Sequence, residues 1–411
     1  MKKLLILGMV WPEPTSSAAG SRMLQLIDVF LEWGFDVSFA CAAQKTSHSE
    51  ALKKRNVNEV AIQINHDGFD AFLKALQPTH VLFDRFIMEE QLGWRVREVC
   101  PNSITILDTE DLHFLRKARQ EAVKQNISFK PNLLYTESAK REIASILRCD
   151  LSLLISEAEM HILQRHFDVK PSQLFYLPFL LGESEIPNSA SFNSYSHRSH
   201  FVSIGNFLHP PNWDQVLFLK EQIWPLIKLE LPEAELHIYG AYAQQKVKQL
   251  HNQKQGFLVK GRAKKALEVI QNARVLLAPL RFGAGLKGKL LDALLTGTPS
   301  VTTSIGVEGM PGDLAWAGEI ANTPTEIAKQ AVLLYKLEKR WNKAQQNAIG
   351  ILKQRFAKTL FLNRFAEKLN GIETNLTLHR QQHFIGQILQ HNQLQSTKYM
   401  SLWIAEKNKP R

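Results

Sequence analysis

Short apolar runs alternate with amphipathic runs along most of the chain, and this alternation is the feature that most restricts its fold. Continuous apolar strands separated by helices are typical of a parallel sheet that is covered on both faces. In the first half, strands are predicted at residues 4–8, 37–40, 61–64, 80–84, 103–109 and 151–156. Helices are predicted between them, for example at residues 23–34, 89–99 and 156–167. The first half is therefore predicted to form an α/β domain.

A polar segment interrupts this pattern near the middle of the chain. Residues 182–200 are rich in turn-forming residues and have no hydrophobic period, which indicates an interdomain linker. The alternation then restarts, with strands predicted at residues 201–206, 234–240, 256–261, 273–280 and 298–303 and a helix at 213–227. A capping box of Thr323 and Glu326 opens a long helical region. A second α/β domain is therefore predicted.

The predicted architecture is two Rossmann-like domains whose parallel sheets face a cleft, with a helical extension at the end. We predict a first Rossmann-like domain at 1–183, a linker at 184–200, a second Rossmann-like domain at 201–355 and helices at 356–411 that pack back on the first domain. Ligands of parallel sheets bind beyond the carboxyl ends of the strands, so the cleft is the expected active site.

Composition narrows the cellular setting and the partners. The formal charge of +11 favours an anionic partner, but the basic residues are scattered and form no aromatic-interleaved strip, which disfavours nucleic acid. Three widely spaced cysteines, Cys41, Cys100 and Cys149, argue against a disulfide framework or a structural zinc site and favour the cytoplasm. The apolar run near the N-terminus is short and is not followed by a cleavage site, so a buried strand is predicted there instead of a signal peptide.

A glycine- and lysine-rich loop leads directly into an apolar helix at residues 281–297, RFGAGLKGKLLDALLTG. Gly283 and Gly285 allow backbone N–H groups to approach a ligand, and the helix start, Lys287 and Lys289 add positive charge. This pattern predicts a phosphate or diphosphate site, the alternative being a tight turn with solvated lysines. A second loop follows the next strand, where Gly306 and Gly309 flank Glu308.

Four stretches together resemble the retaining, group-4 glycosyltransferases of the GT-B class. The most specific is residues 278–309, supported by 204–214 in the second half and by 11–23 and 107–119 in the first. The resemblance implies transfer of a sugar from a nucleotide-diphosphate sugar to a glycan or lipid-linked hydroxyl acceptor, with retention. It also implies that the domain at 1–183 lies on the acceptor side, that the domain at 201–355 binds the nucleotide sugar, and that the domains close over the donor. The implied role is in cell-envelope or extracellular glycan synthesis.

The resemblance also implies roles for particular residues. The family has a Glu-x7-Glu pattern, whose last Glu corresponds to Asp292 and is expected to hold the ribose hydroxyls. The first Glu would fall at Ala284 and is absent, which makes Lys287 the expected charge at the diphosphate. His113 resembles the histidine placed near the reacting sugar, with Asp111 beside it. We therefore take His113, Asp111 and Lys287 as catalytic candidates, the alternative being that Asp111 caps a helix on which His113 packs.

Further donor-side candidates lie at other strand ends. The N–H groups of Gly20 and Ser21 are expected to reach the donor phosphates or the acceptor, and Arg262 and Asn206 are expected on the donor side. Gly306 and Glu308 complete the predicted donor site. The chain has no Gly-x-Gly-x-x-Gly signature, so no nicotinamide or flavin is expected. No Asp-x-Asp motif occupies a loop, and a metal-independent reaction is expected.

Two other functions stay open at this point. One is a GT-B epimerase or a phosphorylase acting on related sugars. The other is a sugar-nucleotide-binding protein that has lost turnover, an idea that the absent Glu at Ala284 supports. The C-terminal segment 383–411 is apolar at helical spacing with a basic end, so it either packs on the first domain or touches a membrane peripherally.

Overall fold

The structure is a computed structural model that describes residues 1–407, apart from the side chains of residues 394–396. The first sheet contains β1 Lys3–Gly8, β2 Asp36–Cys41, β3 Asn58–Ala61, β4 His80–Asp84, β5 Ile104–Asp108, β6 Leu151–Leu154 and β7 Leu174–Tyr176. The strands are parallel and lie in the order β3-β2-β1-β4-β5-β6-β7. The helices between them are α1 Ala18–Glu32, α2 Gly68–Leu76, α3 Phe86–Val99, α4 His113–Lys124, α5 Glu137–Arg148 and α6 Glu157–Phe167. This part is the first domain.

The second domain repeats the plan. Its strands are β8 Ser199–Ile204, β9 Leu236–Tyr239, β10 Phe257–Gly261, β11 Ala273–Ala278, β12 Ser300–Thr302 and β13 Gly318–Ile320. They are also parallel, in the order β10-β9-β8-β11-β12-β13. Its helices are α7 Pro210–Phe218, α8 Trp224–Glu230, α9 Gln245–Lys248, α10 Ala266–Asn272, α11 Gly288–Leu295, α12 Ser304–Val307, α13 Pro324–Lys336 and α14 Glu338–Ile351. The prediction of two Rossmann-like domains with parallel sheets is therefore confirmed.

Three further helices, α15 Leu362–Thr374, α16 Leu376–Gln382 and α17 Phe384–Lys407, follow the second domain and lie on the first. Phe365, Leu369 and Ile372 of α15 are buried in the first domain's hydrophobic core. On α17, Gln393 Nε2 donates to the carbonyl of Glu90 at 2.9 Å. The chain therefore returns to its first domain after completing the second. Residues 408–411 of the predicted extension lie outside the described residues.

Most predicted elements are confirmed, including the buried strand β1, and the exceptions have local causes. Of the strand predicted at 61–64, only Ala61 belongs to β3, which spans Asn58–Ala61. The N–H of Ile62 still donates to the carbonyl of Cys41 just beyond the end of the strand. The helix predicted at 213–227 is interrupted by a π-helical turn at Leu219–Ile223, because Pro225 lacks the N–H that would continue the α-helical ladder. The long helical region after Thr323 is divided into α13 and α14 by Leu337, whose backbone is extended.

Candidate active site

The two domains touch where the loop after β11 meets the loop after β5. Glu159 on α6 accepts hydrogen bonds from the N–H of Leu112 at 2.9 Å and from the N–H of Gly285 at 2.8 Å, so it joins both loops. Gly285 has φ +61°, and a Cβ there would stand 2.9 Å from the Cβ of Asp111. Only glycine combines this backbone conformation with such a close approach. The predicted glycine loop therefore forms one wall of the cleft, against the first domain.

A second link across the cleft involves Arg119 and Glu308. The guanidinium of Arg119 on α4 donates to both carboxylate oxygens of Glu308 at 2.7 Å and to the carbonyl of Gly283 at 2.9 Å. Burial raises the pKa of Glu308, but Arg119 and Lys287 outweigh it and hold the pKa below its ordinary value. Glu308 and Gly283, both predicted to contact the donor, therefore also hold the domains together in this conformation.

Asp111 and His113 lie on the first-domain wall of the cleft. Asp111 accepts from Arg116 Nε at 2.7 Å, and its Oδ1 lies 3.3 Å from His113 Nε2. Although burial raises the pKa of Asp111, Arg116 and His113 together lower it well below its usual range. Burial lowers the pKa of His113 to about 4, so the ring is neutral at pH 7. The structure thus gives Asp111 the role of orienting His113.

The alternative in which Asp111 caps the helix is wrong. Glu142 on α5 occupies that position, because its carboxylate accepts from the N–H of His113 at 3.0 Å and from that of Phe114 at 2.8 Å. Burial raises the pKa of Glu142 to about 8, despite these two backbone hydrogen bonds. Asp111 is therefore left to face the cleft.

His209 approaches the same cluster from the second domain. It is the N-cap residue of α7, and its charged and titratable neighbours include Asp111, Arg116 and His113 from the opposite domain. His209 is partly exposed to solvent. Loss of solvation between the two domains, together with the nearby Arg116 guanidinium, lowers the pKa of its ring to about 4, although Asp111 acts in the opposite direction. The cluster therefore contains two neutral imidazoles, one from each domain.

Two lysines flank the start of α11. Lys287 is the N-cap residue, is 8% exposed and donates from Nζ to the carbonyl of Gly285 at 2.6 Å. Lys289 Nζ donates to Asn212 Oδ1 at 2.7 Å and to Gln215 Oε1 at 2.9 Å. Burial lowers the pKa of Lys287 to about 8, and burial together with Lys287 lowers that of Lys289 to about 7. Within residues 1–407, neither lysine forms an ion pair with a carboxylate, although Glu308 is near enough to favour the charged form of Lys287. Both lysines can therefore respond to an anion.

Asp292 lies on α11, one turn after Gly288. It is half-buried, and its carboxylate has no hydrogen-bond partner among the described residues. Burial raises the pKa of Asp292 to about 7. A carboxylate held in this way is available to accept hydrogen bonds from ligand hydroxyls.

The N-termini of α1 and α11 meet across the cleft. A Cβ on Gly288 would lie 2.4 Å from the Cβ of Ala18, so glycine is required for this approach. The predicted phosphate contact by Gly20 and Ser21 is not available here, because the N–H of Gly20 donates to Ser17 Oγ at 3.1 Å and that of Ser21 to the Ser17 carbonyl at 3.4 Å. Both N–H groups are therefore already hydrogen-bonded to Ser17, the N-cap residue of α1.

The other predicted donor residues fall into two groups. Arg262 follows β10 and donates from Nη2 to Thr15 Oγ1 at 2.8 Å, across the cleft. Asn206 is engaged within its own loop, where Oδ1 accepts from the N–H of Leu208 at 2.9 Å. The segment around Gly306 is not an open loop, because it forms α12, and the Gly306 N–H donates to Thr303 Oγ1 at 3.1 Å. The structure therefore places Arg262 in the cleft and gives Asn206 and Gly306 local structural contacts.

Position 284, where the resemblance puts the missing Glu, is an apolar contact. Ala284 is 7% exposed and packs with the first domain's hydrophobic core. A longer acidic side chain at this backbone position would displace that contact. Ala284 therefore belongs to the interface between the domains in this conformation.

Sequence reasoning missed three side chains that shape the cleft: Glu142, Glu159 and Arg119. Glu142 and Glu159 lie in ordinary amphipathic helices, where a carboxylate is expected to be solvated. Both are buried, at 1% and 0% exposed, because distant segments cover them: the start of α4 covers Glu142, and the loops at Leu112 and Gly285 cover Glu159. No local pattern in the sequence carries that information.

Residues 198–336 match the model of the family of glycosyl transferases group 1. Among similar solved structures is a TarM mutant from S. aureus in complex with fondaparinux, α-GlcNAc-glycerol and UDP, with TM-score 0.68, 12% identity, and 90% of this chain and 100% of that chain covered. HepE from Anabaena, in complex with UDP and glucose, has TM-score 0.65, 14% identity and the same coverage. Sucrose-phosphate synthase from Thermosynechococcus elongatus has TM-score 0.67, 11% identity, and 91% and 100% coverage. No protein with a curated description matches the sequence.

The chain is thus a GT-B protein whose second domain carries the sequence signature of the glycosyl transferases of group 1, which confirms the predicted resemblance to GT-B glycosyltransferases. Within residues 1–407, no helix is both long enough and apolar enough to cross a bilayer. In the same range, no three His, Cys, Asp or Glu side chains are grouped to hold a metal ion.

Proposed function

We propose that the chain is a retaining glycosyltransferase that moves a sugar from a nucleotide-diphosphate sugar to a hydroxyl acceptor. The observation that carries this proposal is the start of α11, where Gly288 lies against Ala18 at the start of α1 and Lys287 and Lys289 stand on either side of it. Two ammonium groups without carboxylate partners beside a helix N-terminus suit a diphosphate. Asp292, one turn further along α11, suits the ribose hydroxyls.

The reaction breaks the bond between the sugar C1 and the diphosphate oxygen and forms a bond from C1 to the acceptor oxygen. The acceptor's proton passes to the leaving diphosphate, so no protein nucleophile is involved. Asp111 supports this assignment, because its hydrogen bonds to Arg116 and its contact with His113 occupy it as an orienting group. In this proposal the acceptor approaches C1 from the face that the diphosphate leaves, which retains the configuration of the sugar.

The protein's own groups stabilise the charge that develops on the leaving diphosphate. Lys287, Lys289 and the N–H groups at the start of α11 are fixed before the reaction, which is the condition for electrostatic preorganisation. We propose that these groups serve without a resident metal. With Nε2 turned to Asp111, His113 presents its other ring nitrogen to a hydroxyl of the transferred sugar, which positions C1.

Domain closure is part of the proposed cycle. The links that cross the cleft include Arg119 to Glu308, Glu159 to the N–H of Gly285, Arg262 to Thr15 and Tyr242 to Glu13. A closed cleft excludes water and so limits hydrolysis of the donor. Release of product then requires these links to open.

We further propose a cytoplasmic enzyme of cell-envelope or extracellular glycan synthesis that touches the membrane through α17. One side of this helix exposes large apolar side chains: Phe384, Ile385, Ile388, Tyr399, Met400, Leu402 and Trp403. The opposite side is fixed to the first domain, for example by Gln390 and Gln393. With a formal charge of +11, an anionic lipid surface is the partner that fits this face, and a lipid-linked acceptor would be found there.

The donor assignment is tested by thermal unfolding of the purified protein with UDP, GDP, ADP, dTDP and CMP. UDP comes first, because HepE and TarM were solved with it. One diphosphate is expected to raise the unfolding temperature by several degrees, and Lys287→Ala is expected to remove that rise. Lys265→Ala is the control, because this lysine is exposed and already paired with Glu268. No rise with any nucleotide would contradict the proposal.

A further inference from the structure

The two domains are tied together more firmly at one edge of the cleft than at the other. The chain crosses between the domains shortly after β7, an edge strand of the first sheet. There the N–H of Leu181 donates to the Phe356 carbonyl, and the N–H of Lys358 donates to the Leu181 carbonyl, both at 2.8 Å. Arg355 of the returning segment pairs with Glu157 at the start of α6. This edge, which we call the hinge edge, therefore holds both chain crossings and an ion pair.

The contact between the domains beside the hinge edge is also buried. A Cβ at Gly309 of the second domain would stand 2.5 Å from Ser156 Oγ of the first domain, so the two segments are in close contact. Ser156 is buried, as is Glu159, which accepts from the N–H of Gly285. Buried hydrogen bonds and close packing resist separation of the domains at this side of the cleft.

At the opposite edge, the domains meet through the ends of exposed side chains. Tyr242, after β9, donates from its hydroxyl to Glu13 Oε2 at 2.9 Å, and Arg262, after the edge strand β10, donates from Nη2 to Thr15 Oγ1 at 2.8 Å. Thr46, after β2, donates to the other carboxylate oxygen of Glu13. Tyr242, Arg262, Thr15 and Thr46 are all exposed, so water competes for these hydrogen bonds and they open easily.

Tyr242 also has a strained backbone. Its φ is +57°, in the left-handed region that non-glycine residues rarely adopt. Such strain is concentrated at ligand clamps and switch regions, where the surrounding contacts maintain it. Arg262 and the exposed Lys264, two residues further along, add positive charge at this edge, which attracts an anionic ligand. This edge therefore combines weak contacts, strain and a charge that suits a diphosphate.

We infer that Tyr242, Glu13, Arg262 and Thr15 form the gate of the cleft, through which the nucleotide sugar enters and the nucleoside diphosphate leaves. The domains rotate about the hinge edge, and the gate contacts break first because they are exposed. The inference rests on the proposed glycosyl transfer. It adds the route of the nucleotide and the residues that control its rates of entry and exit.

Cross-linking tests the route. In Glu13→Cys with Tyr242→Cys, a short bismaleimide joins the two thiols across the gate; the same reagent joins Glu157→Cys with Arg355→Cys at the hinge edge as a matched control. The native cysteines are buried, so the reagent reaches the introduced thiols selectively. Timed mixing with radiolabelled UDP gives the association rate constant. Cross-linking the gate should lower this constant about tenfold or more, whereas cross-linking the hinge edge should leave it unchanged within about twofold.

Substitution tests the gate in the opposite direction. Tyr242→Phe together with Thr15→Val removes both hydrogen bonds across the gate with little change of shape. This double variant should bind and release UDP about threefold faster or more, because less free energy is needed to open the gate. Tyr135→Phe is the matched control and should equal the wild type, since the Tyr135 hydroxyl donates to the His166 carbonyl at 3.2 Å within the first domain.

Two results would overturn the inference while leaving the donor site intact. They are association of UDP at an unchanged rate after the gate is cross-linked, and wild-type rates of binding and release in the double variant. If another of the five nucleotides stabilises the protein in place of UDP, that nucleotide is the probe. Binding of none of the five by the wild-type protein would instead overturn the proposed function, and the inference with it.

Discussion

Arg119 of the first domain and Glu308 of the second form a two-pronged ion pair, with both nitrogen–oxygen distances 2.7 Å. Their side chains are 7% and 24% exposed, so solvent screens the pair only in part. Arg119 also holds the carbonyl of Gly283, the residue that opens the glycine loop. The pair therefore ties the position of the proposed diphosphate loop to the opposite domain.

Arg119→Met is expected to weaken nucleoside diphosphate binding about five- to tenfold, because the open arrangement of the domains becomes more populated and lowers the competent fraction. Glu308→Gln should act in the same direction. Isothermal titration measures both, with Arg141→Met as a control in an exposed pair with Glu90. Unchanged affinity in both cleft variants would show that this pair does not stabilise the binding conformation.

Asp292→Asn is expected to stabilise the ligand-free protein and to weaken nucleotide binding. Burial raises the pKa of Asp292 to about 7, so the stability of the folded state is fully present below about pH 4 and is lost as the pH rises through 7. The variant should gain about 1–3 kcal/mol at pH 8 and about nothing near pH 4. Urea unfolding at the two pH values measures this, with Asp28→Asn on α1 as control. A less stable variant at pH 8 would contradict the assignment.

Nucleotide binding is expected to take up about one proton at pH 8, because a bound diphosphate favours the charged form of Lys289. Burial and Lys287 lower the pKa of Lys289 to about 7 in the free protein, so most of this lysine is then uncharged. Titration calorimetry in Tris and in HEPES reports the uptake as a buffer-dependent enthalpy. Lys289→Met should remove most of it, and Lys265→Met should leave it unchanged. Binding without uptake by the wild-type protein would place the diphosphate away from Lys289.

Sedimentation with vesicles that contain anionic lipid is expected to carry the protein down, because the exposed face of α17 combines aromatic and aliphatic side chains with a basic protein. Trp403→Glu together with Phe384→Glu should abolish this binding, since the two side chains are 60% and 62% exposed at opposite ends of the helix. Leu229→Glu, an exposed leucine on α8, is the control. Equal sedimentation of the double variant would refute a membrane role for this face.

The hydrophobic pattern was sufficient to predict the two sheets, because the buried strands are continuous apolar runs bounded by turn residues. The start of α11 was also predictable, since its glycines, lysines and leucines are adjacent in sequence and Leu290, Leu291 and Leu294 are buried as expected. Gly297, with φ +57°, ends the helix as predicted. Local chemistry determines all of these features.

Contacts between distant segments were not predictable in the same way. Glu142 caps α4 from another helix, 29 residues from His113, and Glu159 reaches Gly285 of the other domain over 126 residues. The contacts of Gly20 depend on how the preceding loop folds back, which the turn residues alone do not specify. A single sequence shows residue types and spacing, whereas these roles depend on how separate segments of the folded chain meet.

Glycosyl transfer is tested most directly by incubating the protein with the sugar nucleotide whose diphosphate stabilises it and with an octyl glycoside. The expected product is one sugar heavier than the acceptor, has the donor's anomeric configuration and forms with release of one nucleoside diphosphate per product. His113→Asn should slow this transfer about a hundredfold or more, with nucleotide Kd unchanged within about twofold. Tight nucleotide binding by the wild-type protein, without release of nucleoside diphosphate or a heavier product, would contradict the account and indicate a binding protein.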